Sequence, residues 1–139
     1  MAQDIIDVTW EAHPVTNKKE IQSFGLLNED VIDKYVPDNH QPGNYRIGRL
    51  IGNSFHIIYV GRVDKRKDRG IKDRLIEHIG ELPGNLYFNW NDAATIEEAY
   101  NNECEDYHTW LDYEGTLEND NHPAKPEGKK SLKCPVCNQ

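Results

Sequence analysis

Two apolar, β-branched segments, Asn44 to Ile51 and Ser54 to Val60, flank the dipeptide Gly52-Asn53. Runs of that kind on either side of a glycine-containing turn predict a β-hairpin, and a hairpin in the middle of a 139-residue chain dictates where the rest must pack. Each arm carries a tyrosine, Tyr45 on the first and Tyr59 on the second. Opposed residues on paired strands share a face and side chains alternate along each strand, so loop length decides whether the two phenols meet. A two-residue turn at Gly52-Asn53 pairs Tyr45 with Val60 and puts the tyrosines on opposite faces. A three-residue loop, Ile51-Gly52-Asn53, pairs Tyr45 with Tyr59 and gathers Tyr45, Ile47, Phe55, Ile57 and Tyr59 on one face. A site built on both phenols therefore requires an odd loop or a bulge. Without one they are sheet aromatics with their hydroxyls at the edge.

After the hairpin, Ile71, Leu75, Ile79 and Leu82 recur about every four residues, which predicts one face of a short helix. Arg74 and His78 are four apart and stack on one side of it. Asn85 to Trp90 alternates and is aromatic, a third strand after the turn at Pro83-Gly84. Thr95-Ile96-Glu97-Glu98 has the form of a capping box and opens a second helix running to about Leu111. Ile96, Ala99, Tyr100, Tyr107, Trp110 and Leu111 make its apolar stripe, and Glu103 falls in the middle of that stripe. A buried carboxylate wants a cation, a metal or a proton, so its partner is either a metal ion or a buried arginine such as Arg74.

The expected architecture is α+β, a small three-stranded antiparallel sheet flanked by helices over residues 42–115, with an N-terminal extension 1–41 and a C-terminal tail 116–139. In the extension, Ile5, Ile6, Val8 and Trp10 suit a short strand, Thr16 to Glu20 opens a helix stopping near Gly25, and Asn28 to Tyr35 suits another short helix. An extra layer over the core is the plain reading of these residues; target recognition is the other.

The formal net charge of −8 is unevenly spread. Arg62 to Arg74 holds seven Lys/Arg against three Asp/Glu, whereas residues 75–122 hold twelve Asp/Glu and no Lys or Arg. Phosphate affinity depends on local cations, so Arg62, Lys65, Arg66, Lys67, Arg69 and Lys72 are candidate nucleic-acid contacts despite the total. The same total argues against tight non-specific DNA binding. No apolar run approaches the ~20 residues of a membrane span, and Met1-Ala2-Gln3-Asp4 lacks a basic and apolar leader, so the expected compartment is the cytoplasm.

Tyr45 in Gly43-Asn44-Tyr45, Tyr59-Val60-Gly61, Arg74 with His78, and the helical Glu103 together resemble the GIY-YIG nuclease family, which includes intron homing endonucleases and excision-repair nucleases. The resemblance covers residues 43–110, and its order and spacing are more specific than any one short motif. Asn44 and Val60 stand where the family name has isoleucine. The resemblance implies a metal-dependent endonuclease that hydrolyses DNA phosphodiesters, with Glu103 ligating Mg²⁺, Arg74 clamping the phosphate, Tyr45 or else Tyr59 as base and His78 orienting water or phosphate. Cutting two strands with one such site calls for two protomers or two visits. A non-catalytic nucleic-acid- or protein-binding domain on the same fold, stabilised by zinc, is the alternative.

Cys104 and His108 are four apart on the Glu103 helix, and the remaining cysteines form Cys134-Pro135-Val136-Cys137 near the end of the chain. A Cys-x-x-Cys knuckle with a Cys-x-x-x-His helix supplies four ligands for structural Zn²⁺, and His122 is the alternative fourth ligand. Competing readings are a thiol pair on a flexible tail and a knuckle shared between two chains.

Overall fold

The computed structural model describes residues 3–64 and 70–139. In chain order the elements are β1 (Ile5–Trp10), β2 (Glu20–Leu26), α1 (Glu29–Tyr35), β3 (Gly43–Ile51), β4 (Ser54–Val63), α2 (Ile71–His78), β5 (Leu86–Asp92) and α3 (Ile96–Glu114). The hairpin β3–β4 turns tightly: Ile51 pairs with Ser54 across Gly52-Asn53, and Gly52 takes φ +60, the backbone a two-residue hairpin turn asks of its first central residue. The register then slips between Ile47 and Gly48, where Gly48 faces Ile57 but Ile47 faces Tyr59. Ile58 is the extra residue of a β-bulge. The bulge, rather than a three-residue loop, turns the far half of β4 over. Tyr45 lies opposite Gly61, and its ring stacks on that of Tyr59 with centroids 6.2 Å apart and planes 17° from parallel. The same turnover sends Phe55 and Ile57 to the other face, away from the group expected around Tyr45.

The expectation of a small three-stranded sheet is wrong. The sheet has five antiparallel strands in the order β1-β2-β5-β3-β4, and the three anticipated strands are its contiguous β5-β3-β4 part. The error lies at Thr16 to Gly25, read as a helix. Thr16, Asn17 and Lys18 instead close the loop between β1 and β2, with Asn17 at φ +55 and its amide donating to the His13 carbonyl. Glu20–Leu26 pairs along its length with β1 and at Gly25 and Leu26 with β5. In that strand Ile21 is exposed while Gln22 accepts a hydrogen bond from Asn89, so its first half inverts the usual apolar-in, polar-out pattern that Ser23 and Phe24 then follow. Pairing with two neighbours overrides local pattern there.

Two cores sandwich the sheet. On one face Val31, Ile32, Tyr45, Ile47, Ile71, Leu75 and Phe88 pack under α1 and α2; on the other Trp10, Phe24, Ile57, Val60 and Tyr87 meet Trp110 of α3. Asn28 caps α1 through its side chain, which accepts from the Val31 amide. Thr95 does the same for α3 with the Glu98 amide, and α2 ends at His78, one turn short of the expected helix. Strand β4 is at the edge of the sheet, and the chain after α3 covers it: the Glu118 amide donates to the Ile58 carbonyl, and the Asn119 carboxamide bonds both the amide and the carbonyl of Val60. That cover blunts an edge otherwise open to pairing with another chain. Among the described residues no helix is long and apolar enough to cross a membrane.

Candidate functional site

Helix α3 is held to the sheet by polar contacts as well as by its apolar stripe. Arg46 donates to Asn89 (2.7 Å), Asn91 (2.6 Å) and the Asp106 carboxylate (2.7 Å). Asn44 is fully buried; it donates to the Ala99 carbonyl at 2.8 Å and accepts from Asn102 at 3.1 Å. In an α-helix the carbonyl of residue 99 is the one that accepts the amide of residue 103, so Asn44 grips α3 at the turn carrying Glu103. Asn44 precedes Tyr45 on β3 and Asn102 precedes Glu103 on α3. This position, where the family name has isoleucine, ties the phenol's strand to the carboxylate's helix. Sequence reading missed that role because a lone asparagine in a strand carries no periodic signal.

The result is a cleft of about 260 Å³ at the end of β4, lined by Tyr45, Tyr59, Gly61, Arg62, Val63, Asp64, Arg74, Glu103 and Ala124. Four of the five predicted catalytic side chains thus share one opening, although they come from β3, β4, α2 and α3. Gly61 is what lets Tyr45 lie there, since a Cβ at that position would fall inside the tyrosine ring. The fifth, His78, stands behind Tyr45: its Nε2 is 2.8 Å from the Tyr45 hydroxyl, and its Nδ1 is 3.4 Å from a carboxylate oxygen of Glu81.

The electrostatics of the cleft assign protonation states. Burial, reinforced by the Arg74 guanidinium, pulls His78 down to about 4, so the imidazole is neutral at neutral pH. Burial and the adjacent Tyr59 push the Tyr45 phenol well above the ordinary tyrosine value. Tyr45 therefore carries its proton and donates it to His78 Nε2, which leaves Nδ1–H to face Glu81. Tyr59 is raised chiefly by burial, with Arg74 opposing. Glu103 is raised by burial while Arg62 opposes, and the Arg62 Nη1 donates to Glu103 Oε1 at 2.6 Å. Arg62 also donates from Nε to Asp64 at 2.9 Å, so one guanidinium bridges two carboxylates. The arginine partner of Glu103 is thus Arg62, not Arg74, whose own ion pair is with Glu77 at 3.0 Å.

Glu103 and Asp64 give the cleft a hard, all-oxygen donor set, the chemistry that suits Mg²⁺. Of the predicted nucleic-acid contacts, Arg62 turns into the cleft and Lys72 pairs with Asp33 of α1 at 3.2 Å. Lys65, Arg66, Lys67 and Arg69 lie outside the described residues.

The His/Cys group that the structure brings together shares three residues with the expected zinc ligands, His108, Cys134 and Cys137. His108, His122, Cys134 and Cys137 present ligand atoms that all lie within 4.8 Å of one another. Cys104 is not among them; it is buried beside Tyr100 and Cys134 in a small apolar cluster, and burial pushes its thiol up to about 12. Burial opposes ionisation of Cys134 too, but the amides of Cys137 and Val136 together with the side chains of His122 and Cys104 bring that thiol down to about 6. Both side chains of the Cys104–His108 pair face the tail: Cys104 packs against Cys134 and Leu132, while His108 joins the group that holds His122 and Cys137.

No family model, no curated protein and no solved structure matches the chain. The functional reading stands on the chemistry of the cleft.

Proposed function

We propose that this protein is a cytoplasmic, metal-dependent endonuclease that hydrolyses DNA phosphodiester bonds, the activity that its motif resemblance to GIY-YIG nucleases implies. The observation that carries the reading is the shared opening: Tyr45, Tyr59, Arg74 and Glu103, up to 58 positions apart in sequence, line one cleft with a neutral histidine behind it. A bound Mg²⁺ would serve as the Lewis acid for the charge that grows on the leaving oxygen. Glu103, with Asp64 beside it, supplies the carboxylate oxygens for that ion, and Arg62 balances their charge and holds them in place. Arg74 offers forked donors to the scissile phosphate. Tyr45 accepts a proton from the attacking water as its own passes to His78 Nε2, and Glu81 stabilises the imidazolium that results. The low basicity of His78 makes this a handover concerted with attack and not a charge held in the resting protein. Tyr59, less buried, orients the water from the cleft side.

One observation favours a second reading. Arg62 already neutralises Glu103, and a carboxylate so paired can be purely structural, as in a binding domain that keeps the fold without cleaving. Incubation of plasmid, branched and single-stranded DNA with Mg²⁺ or with chelator separates the two. Hydrolysis predicts Mg²⁺-dependent product, lost by about 10²–10³-fold in Glu103→Gln and in Arg74→Ala. Binding without product from any substrate, or equal product from Glu103→Gln, leaves the binding domain as the surviving reading.

A further inference from the structure

We propose that His108, His122, Cys134 and Cys137 form a tetrahedral zinc centre that staples the C-terminal tail to α3 and so fixes one wall of the cleft. The centre is distinct from the cleft and does not depend on what reaction occurs there. Zinc bonds of about 2.0–2.3 Å place tetrahedral ligand atoms roughly 3.3–3.8 Å apart. Cys137 Sγ and His122 Nε2 already stand at 3.4 Å, and the other pairs need only contract from within 4.8 Å.

Two independent features mark the imidazoles as ligands. His122 Nδ1 lies 3.1 Å from the Pro123 carbonyl, which can only accept, so Nδ1 carries the proton and Nε2 offers its lone pair toward Cys137. In His108 the Nε2 atom is buried with no hydrogen-bond partner, a state that protein interiors rarely tolerate. The knuckle is closed by the chain itself, with the Asn138 amide donating to the Cys134 carbonyl at 2.9 Å and Asn138 at φ +63.

The tail also needs such a staple. From 116 to 139 it contains no helix or strand, yet it buries Pro123, Pro126 and Cys134. Irregular segments of this length are seldom ordered without a cross-link, and a metal supplies one. His122 lies between Asn119, which covers the β4 edge, and Ala124, which lines the cleft. A metal at His122 therefore anchors both.

The full chain, purified without chelator, tests the proposal by metal analysis and by titration with Co²⁺ alone. About one zinc per chain is expected, with the visible bands of tetrahedral cobalt bound to two thiolates. His122→Ala and Cys137→Ser should lose zinc and those bands. Cys104→Ser should keep both, because Cys104 packs behind Cys134 without being one of the four ligands. Chelation should expose the 116–133 segment to protease, while the circular-dichroism strand signal persists. A zinc-free wild type whose apoprotein gives no cobalt bands refutes the proposal. So does a pattern in which Cys104→Ser loses the metal and His122→Ala retains it, or a stoichiometry of one metal per two chains.

Discussion

Replacing His78 tests the electrostatic account of the cleft, because its charge state sets the direction of the Tyr45 hydrogen bond. The groups that face it are Tyr45 and Tyr59 from the sheet and Arg74, Glu77 and Glu81 from its own side. Burial and Arg74 outweigh the two carboxylates and lower the imidazole from 6.5 to about 4. Between those values the unfolded chain binds a proton that the fold excludes, so stability rises with pH across the window and is lost as pH falls through it. A gap of about 2.5 pH units at ~1.36 kcal/mol each amounts to ~3 kcal/mol in total, and the two-pKa linkage relation places ~2.4 kcal/mol of it between pH 7 and pH 4.5. His78→Gln abolishes that contribution. Glu103 and Asp106, raised by burial, act in the opposite sense over the carboxylate range, but both chains contain them and their effect cancels in the difference. Urea unfolding of wild type and variant at the two pH values measures it. The variant should start lower at pH 7, having lost the bond to Tyr45, and then fall by ~2 kcal/mol less than wild type on acidification. Parallel losses in the two chains would refute a neutral, buried His78, and with it the proposed proton path.

Gly61→Ala pushes a Cβ into the Tyr45 ring, and the expected outcome is a loss of about 1–3 kcal/mol in urea together with loss of Mg²⁺-dependent cleavage. Unchanged stability would show that Tyr45 does not lie on Gly61. Asn44→Ala removes one bond to the Ala99 carbonyl and one from Asn102 at a fully buried position, which should cost about 2–3 kcal/mol. If Asn44 fixes the depth of Glu103, that variant should also need more Mg²⁺ for half-maximal cleavage, a shift that general destabilisation at low temperature does not produce.

How much of this site the sequence disclosed depends on the range over which each signal acts. The Gly52-Asn53 turn, the α3 cap at Thr95 and the charged Glu103 in an apolar stripe are local patterns, and each appears where periodicity and capping place it. The bulge at Ile58 left a trace of a different kind: two tyrosines that no regular two-residue hairpin could put on one face. The missed features are all long-range. Strand β2 exists because β1 and β5 flank it, Asn44 matters because Ala99 and Asn102 lie 55 and 58 positions away, and Arg62 reaches Glu103 across 41. None of these leaves a mark in a short window of residues. His122 shows the boundary between the two kinds of information. As a sequence feature it was one histidine beside a proline, the alternative to His108 as fourth ligand. The tail's return over β4 brings it to Cys137 and packs Cys104 against Cys134 and Leu132. Which side chains gather at that group is therefore set by the path of an irregular segment, for which helical and strand periods offer no guide.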